Sequence, residues 1–445
     1  MMKRLLAALS VLAALQLPLS AREPSEEALK QFIEQEYETY LADLFDHFHR
    51  NPELSLVEFQ TAARMARELR SVGFDVTEGV GGTGIVALLP NGDGPTVMMR
   101  ADMDGLPVEE KSGLDNASKA TQVDPITGNT VPVMHACGHD VHITSLVGTA
   151  RYMSTHRDRW SGTLMLIVQP AEERIMGARA MRRDRLWERF GTPDFALAFH
   201  VAARDPSGKI NVTEGSPYAG SDTVDIVVHG IGAHGASPHR GKDPIVLASQ
   251  IVLALQTLVS RELPPRDPGV VTVGSFHAGT KHNIISDRAH LQLTVRSTSP
   301  ETRKTLLDGI ERIAVNLGRA AGLPEDKLPE VTVSEESVPP TLNTADLARR
   351  LRDAWVDAIG KEAVIDEPSK GMGAEDFPVF TVNPDIPAVY WSVGGTPEEA
   401  FAAEQEGGPA VPSHHSPLFK IEPKPAVTRG VHSTVVALME LMGKA

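Results

Sequence analysis

Met134-His135-Ala136-Cys137-Gly138-His139-Asp140-Val141-His142 holds the only cysteine of the chain and three of its histidines. Cys137 and His139 stand two apart, at the mouth of an expected helix that runs through about Met153. A soft thiolate and an imidazole placed so closely suit zinc or a similar divalent transition metal. Taken alone, the same nine residues also fit a small buried cysteine among surface imidazoles. The flanking sequence has to separate the two readings.

On the N-terminal side, strands are expected at 84–89 and 96–100, joined by the turn Pro90-Asn91-Gly92-Asp93-Gly94. The second runs into Arg100-Ala101-Asp102-Met103-Asp104-Gly105, placing two carboxylates where α/β proteins build sites. Plain turn and cap chemistry accounts for that pair equally well. Further upstream, Leu29, Phe32, Ile33, Tyr37, Tyr40, Leu41, Leu44, Phe45 and Phe48 recur at spacings of three and four, the signature of an amphipathic helix. Ser55 and Glu58 read as a capping box for a second helix, closed by Gly73. Residues 111–132 are polar and read as a surface excursion that returns the chain to His135.

On the C-terminal side, Thr163-Leu164-Met165-Leu166-Ile167-Val168 is continuously apolar, as a buried central strand requires. It ends in Gln169-Pro170-Ala171-Glu172-Glu173. Adjacent acids at the end of a buried strand are costly unless their charge is compensated. A metal pair compensates them, and their adjacency permits one ligand and one general base. A solvated turn is the other reading. His200 ends a further apolar strand, 195–201.

The pattern then changes. Strands at 224–228, 270–276 and 291–296 alternate with helices from Asp243-Pro244 to about Glu262 and from Glu301 to about Gly322. This compact α+β unit reads as an insertion. Helix, strand and Gly-rich loop resume at 347–359, 371–377 and 388–393. Ser413-His414-His415-Ser416-Pro417 and a C-terminal helix follow. The expected division is a signal peptide at 1–21, a catalytic domain from 22–220 and 334–445, and the inserted domain at 221–333.

At 445 residues, two or three domains are expected. Apolar content of 41% and charged content of 23% are those of a globular enzyme. A net charge of −15 argues against nucleic acid or an anionic membrane surface as partner. Lys3-Arg4, the apolar run 5–17 and the small pair Ser20-Ala21 read as an export signal, too short to span a bilayer. An uncleaved N-terminal anchor is the alternative. Without it, no stable membrane association is expected. A lone cysteine in an oxidising compartment is a liability that metal ligation removes.

Five candidate ligands thus fall at loop or strand ends: Cys137, His139, Glu173, His200 and His415, with Glu172 and Asp102 beside them. A two-metal site needs about this many. Seven motifs carry a family resemblance: 100–107 (RADMDGLP), 134–140 (MHACGHD), 169–173 (QPAEE), 199–201 (FHV), 234–239 (HGASPH), 373–377 (GAEDF) and 415–419 (HSPLF). In this order they resemble the amidohydrolase branch of the co-catalytic dinuclear metallopeptidases. That group includes hippurate hydrolase, aminoacylase-like enzymes and indole-acetyl-amino-acid hydrolases, with the carboxypeptidase G type more distant.

The resemblance implies an α/β fold with a mixed central sheet flanked by helices, and a smaller α+β lid or dimerisation domain inserted in it. It implies two divalent metal ions held by Cys137, His139, Glu173, His200 and His415. Zinc or manganese is expected there, with cobalt or nickel as alternatives. It makes Glu172 the general base, puts Asp102 behind a ligand to orient it, and gives substrate contacts to His234, Asn283 and Arg296. The implied function is an exported, metal-dependent amidohydrolase acting on N-acyl amino acids or short peptides with a free carboxylate, as a homodimer. The alternatives are a dipeptidase or deacetylase of cell-wall fragments, or a non-catalytic binding protein on the same fold. Two departures stand out. Val141-His142-Ile143 replaces Gly-His-Thr, with His142 read as structural, and 201–205 lacks expected prolines.

Overall fold

The apolar run at 163–168 forms the strand Gly162–Gln169, buried along nearly its whole length. A computed structural model describes residues 23–368 and 371–444, so the expected signal segment lies outside the described residues. Gly162–Gln169 lies between Gly84–Asn91, which it meets antiparallel, and Thr96–Asp102, which it meets parallel. The hairpin expected from 84–100 is therefore not formed. Its turn bridges two strands that are neighbours in the chain but not in the sheet. A five-residue turn can do this, because the gap is about two inter-strand spacings, ~10 Å.

Phe195–Pro206 adds parallel to Thr96–Asp102, and Ala388–Thr396 adds parallel to Phe195–Pro206. Short strands extend both edges to make an eight-stranded mixed sheet. Side chains alternate between two apolar layers, as the period of two dictates. Val97, Met99, Leu164, Leu166, Leu197, Phe199 and Trp391 pack under the helices at 23–50, 59–71, 139–155, 345–359 and 423–442. Met98, Met165, Ile167, Ala196, Ala198 and Tyr390 pack under Ala178, Met181, Trp187, Phe377 and Phe380 on the opposite face. The four parallel strands end on one edge, and register places Asp102 opposite Gln169.

The helix Phe59–Ser71 has the expected place but not the expected cap. The Ser55 hydroxyl donates to Asp104 at 2.6 Å, and the Glu58 carboxylate turns into the core. Gly73 ends the helix in a left-handed conformation, φ 89°, as expected.

Residues 220–333 build a separate four-stranded antiparallel sheet, in the order Gly269–Ala278, Arg288–Ser297, Gly220–His229, Glu330–Val333. Its own core joins Val224, Ile226, Leu291 and Leu293 to Leu247, Ile251, Leu306 and Ile310 of two helices. Those helices begin at Pro244 and Pro300, capped by the side chains of Asp243 and Ser299. The chain enters and leaves this unit through the paired strands Gly215–Tyr218 and Thr341–Asn343.

Candidate active site

At the end of the parallel strands, Gly138 makes the turn that puts Cys137 and His139 on one side. Its φ is 82°, and a Cβ there would lie 2.3 Å from Val201 Cγ1, so only glycine fits. Cys137 Sγ sits 3.4 Å from His200 Nε2. His139 donates Nδ1–H to the Asp104 carbonyl at 2.8 Å, which leaves Nε2 aimed inward. His415 has φ 65° and brings its Nε2 to 3.3 Å from Glu173. The structure thus brings together all five expected ligand residues, from four stretches of chain. They form two sets that share the thiol, Cys137-His139-His200 and Cys137-Glu173-His415, each with ligand atoms within 4.8 Å of one another. Glu172 is buried beside them, 3.9 Å from His139 Nε2.

The donor chemistry fits a pair of divalent cations. His139 Nε2 and Glu173 Oε1 are buried and without a hydrogen-bond partner among the described residues. Burial, then the charges of Glu375, Glu173 and Asp376, push the Glu172 carboxyl well above the usual range. Burial raises Glu173 to about 8, helped by Asp104 and Asp102 and opposed by His139. Burial also lifts the Cys137 thiol, reinforced by Glu173 and Glu172. Burial works against a charged His139, yet Asp102 and Asp104 raise its imidazole to about 10. Every one of these shifts has the same origin, a surplus of negative charge in a dry cavity. Bound cations invert it.

Asp102 orients a histidine, but not a member of either set. Its carboxylate bonds His142 Nδ1 at 2.5 Å and Arg100 at 2.6 Å, while the Asp104 carbonyl aims His139. His142 Nε2 accepts the Val201 N–H at 2.9 Å, the structural role expected of it. His414 is spent on the Ala203 N–H at 3.1 Å, leaving His415 free to face Glu173. Sequence reasoning assigned no role to Glu375, Asp376, Gln169 or Tyr390. They surround the fully buried Arg100, whose guanidinium meets Glu375 at 2.7 Å, Gln169 at 2.8 Å and Asp376 at 3.5 Å. The signal was the charged pair inside 373–377, which is costly to bury without a partner.

His234, Asn283 and Arg296 lie in the inserted unit. His234 and Asn283 are exposed neighbours, with the Gly235 N–H donating to the Asn283 carbonyl at 2.8 Å. Arg296 is partly buried on the strand Arg288–Ser297. Among the described hydrogen bonds and ion pairs, none joins these three to the Cys137 cluster.

Residues 98–407 match the model of peptidase family M20/M25/M40. The chain belongs to this family. It is 35% identical over 334 residues to hippurate hydrolase of Campylobacter jejuni, across 75% of this chain and 82% of that protein. It is 36% identical over 373 residues to IAA-amino acid hydrolase ILR1-like 2 of Arabidopsis thaliana, across 84% of this chain and 79% of that one. Among solved structures, Bacillus subtilis YXEP, described as a dinuclear metal binding peptidase of the M20 family, superposes with a TM-score of 0.72. That match covers 92% of this chain and 99% of YXEP at 27% identity. The expected α/β class with a mixed sheet stands, and the protein is a metal-dependent hydrolase of amide bonds.

Proposed function

We propose that this M20 hydrolase is exported and cleaves the amide bond of N-acyl amino acids or short peptides that carry a free carboxylate. The observation that carries the reading is Glu172, buried beside two ligand sets that share Cys137. Cys137, His139 and His200 would hold one divalent ion, and Cys137, Glu173 and His415 the other. Thiolate, imidazole and carboxylate together suit zinc, manganese, cobalt or nickel, and availability selects zinc or manganese among them. Such a pair, when bound, acidifies a water and polarises a carbonyl. Glu172 takes a proton from the attacking water and delivers it to the departing amine. Its burial keeps bulk water from competing for that proton.

The inserted unit supplies the substrate contacts. Arg296 and Asn283 offer donors for a carboxylate, and His234 a donor for the developing oxyanion. The exposed Val246 and Leu253, 55% and 72% accessible on the helix at 244–262, support dimerisation through this unit. The names hippurate hydrolase and IAA-amino acid hydrolase both point to acylated amino acids as the substrate class. Lys3-Arg4 and the apolar run after them support export.

The test is product analysis by mass spectrometry on a panel of N-acyl amino acids, dipeptides and cell-wall amides, with zinc- or manganese-loaded protein. Glu172→Ala is expected to lose about 10²–10⁴-fold in kcat while keeping its metal content. A mutant with near-wild-type kcat refutes the role of Glu172. Cleavage confined to cell-wall amides replaces the proposed substrate class.

A further inference from the structure

The loop that carries Glu172 and Glu173 is contorted. Ala171 and Ile175 both take left-handed conformations, φ 49° and 55°, which side chains with a Cβ avoid and a β-branched one avoids most. The loop folds back so far that the Ala171 carbonyl accepts the N–H groups of Met176 and Gly177, at 3.2 and 3.1 Å. Such a shape persists only where its surroundings over-determine it.

Three buried carboxylates do so. Asp104 accepts the N–H groups of Glu172 at 3.2 Å and Glu173 at 3.1 Å. Asp376 accepts from the Gln169 side chain at 2.6 Å and from the Ala178 N–H at 3.0 Å, one on each flank of the loop. Glu58 accepts the N–H of Ala171 at 2.8 Å, directly before Glu172. The same oxygen takes the Leu56 N–H at 2.9 Å, and the other takes the Thr83 hydroxyl at 2.6 Å. The Asp104 backbone carbonyl also aims His139, and Asp376 also meets Arg100, so each residue has a second duty. Among the described hydrogen bonds and ion pairs, none joins Glu58 to either ligand set or to Arg100, and it lies outside residues 98–407. It is fully buried at the start of a helix it does not cap.

We propose that Glu58 is a positioning residue for hydrolysis: braced by Thr83, it pins Ala171 in its left-handed conformation and so aims Glu172. The inference rests on the reading of Glu172 as general base. Burial and the charge of Asp104 raise the Glu58 carboxyl to about 7. The geometry makes an amide of the same shape a close substitute: its carbonyl accepts the Ala171 and Leu56 N–H groups, and its NH2 donates to the Thr83 hydroxyl.

The experiment compares wild type with Glu58→Ala, Glu58→Gln and Thr83→Val. Hydrogen–deuterium exchange is followed in the metal-free protein, and kcat and KM in the metal-loaded protein. In Glu58→Ala, exchange of amides 171–178 is expected to quicken about tenfold while the central strands hold their protection. Its kcat is expected to fall about 10–100-fold with KM within about twofold. Glu58→Gln should recover both readouts to within about threefold, and Thr83→Val should fall between wild type and Glu58→Ala. Unchanged exchange and kcat in Glu58→Ala overturn the proposal. So does a Gln variant as damaged as Ala, or exchange that quickens evenly through the domain, because a merely structural carboxylate gives those results. If Glu58→Ala does not fold, Thr83→Val decides by the same two readouts. Loop exchange that responds as expected in a protein whose Glu172→Ala variant keeps near-wild-type kcat leaves the brace standing and removes the general-base reading of Glu172 instead.

Discussion

Consider Arg100→Met. The arginine is 1% exposed and meets Asp102 at 2.6 Å and Glu375 at 2.7 Å, with Asp376 at 3.5 Å. Methionine fills much of the stem's volume but leaves these acids without their counter-charge. Removing one partner of a buried ion pair costs about 3–5 kcal/mol, because the other stays desolvated and unpaired. Here more than one carboxylate loses its partner, so a loss of at least ~4 kcal/mol is expected, against a total of about 5–15 kcal/mol for a folded domain. At a urea m-value of about 3 kcal/mol/M, that moves the midpoint down by ~1.3 M. All four tryptophans, Trp160, Trp187, Trp355 and Trp391, belong to the domain of the eight-stranded sheet, so their fluorescence follows that domain and not the inserted unit. The measurement uses metal-free protein, since bound metal adds stability by mass action. Arg100→Lys should fall between, keeping the charge but losing the fork that spans two acids. A midpoint shift below ~0.3 M for Arg100→Met refutes the reasoning.

Two further outcomes follow from the geometry. A Cβ on Gly177 would lie 1.5 Å from the Pro170 carbonyl oxygen, so Gly177→Ala must displace the Glu172 loop. Its kcat is expected to drop about 100-fold with the urea midpoint changed far less than in Arg100→Met, and a kcat within about threefold of wild type would count against a rigid loop. His49 is held between Asp140 at 2.7 Å and Glu110 at 3.3 Å. Burial opposes its charge, but the two carboxylates outweigh it and raise the imidazole to about 10. Its stabilising effect is therefore complete below the unfolded value of about 6.5 and lost as pH rises from there through 10. The gap in urea midpoint between wild type and His49→Gln should narrow from pH 6 to pH 10, and a constant gap would show that His49 is not charged in the fold.

Periodicity made the strands and helices legible, and chemistry made the cluster of candidate donors legible. A buried apolar run such as 163–168 announces a central strand, and adjacent acids at its end announce an uncompensated charge. Sheet order was not legible in the same way. The turn at 90–94 has the residues of a hairpin, and nothing local shows that a strand some seventy residues later will enter between its arms. Glu58 shows the same limit. Ser55 and Glu58 have the spacing of a capping box, yet the structure uses both side chains on partners far away in sequence, Asp104 for one and Thr83 and Ala171 for the other. Local propensity describes what a side chain can do for its own helix. It does not register a stronger claim from a loop carrying buried charge. Asp102 illustrates a third case, where the residue type and strand end were informative but the choice between His139 and His142 depended on a side-chain direction that only packing sets.

The division of the chain explains why such a demanding site tolerates an insertion. Cys137, His139, Glu173 and His200 come from the first part of the sheet domain, whereas His415, Glu375 and Asp376 come from the second. The first part therefore cannot assemble the site alone. The two parts are locked by buried charge under the cluster, through Arg100 and Glu375, and by the parallel pairing of Ala388–Thr396 with Phe195–Pro206. The inserted unit leaves and rejoins this frame through two adjacent antiparallel strands, Gly215–Tyr218 and Thr341–Asn343. None of the five clustered donors comes from it, so its sheet and core are separate from the residues that build the cluster. The cluster thus belongs to the frame on either side of the insertion, and its assembly depends on the two parts of that frame meeting.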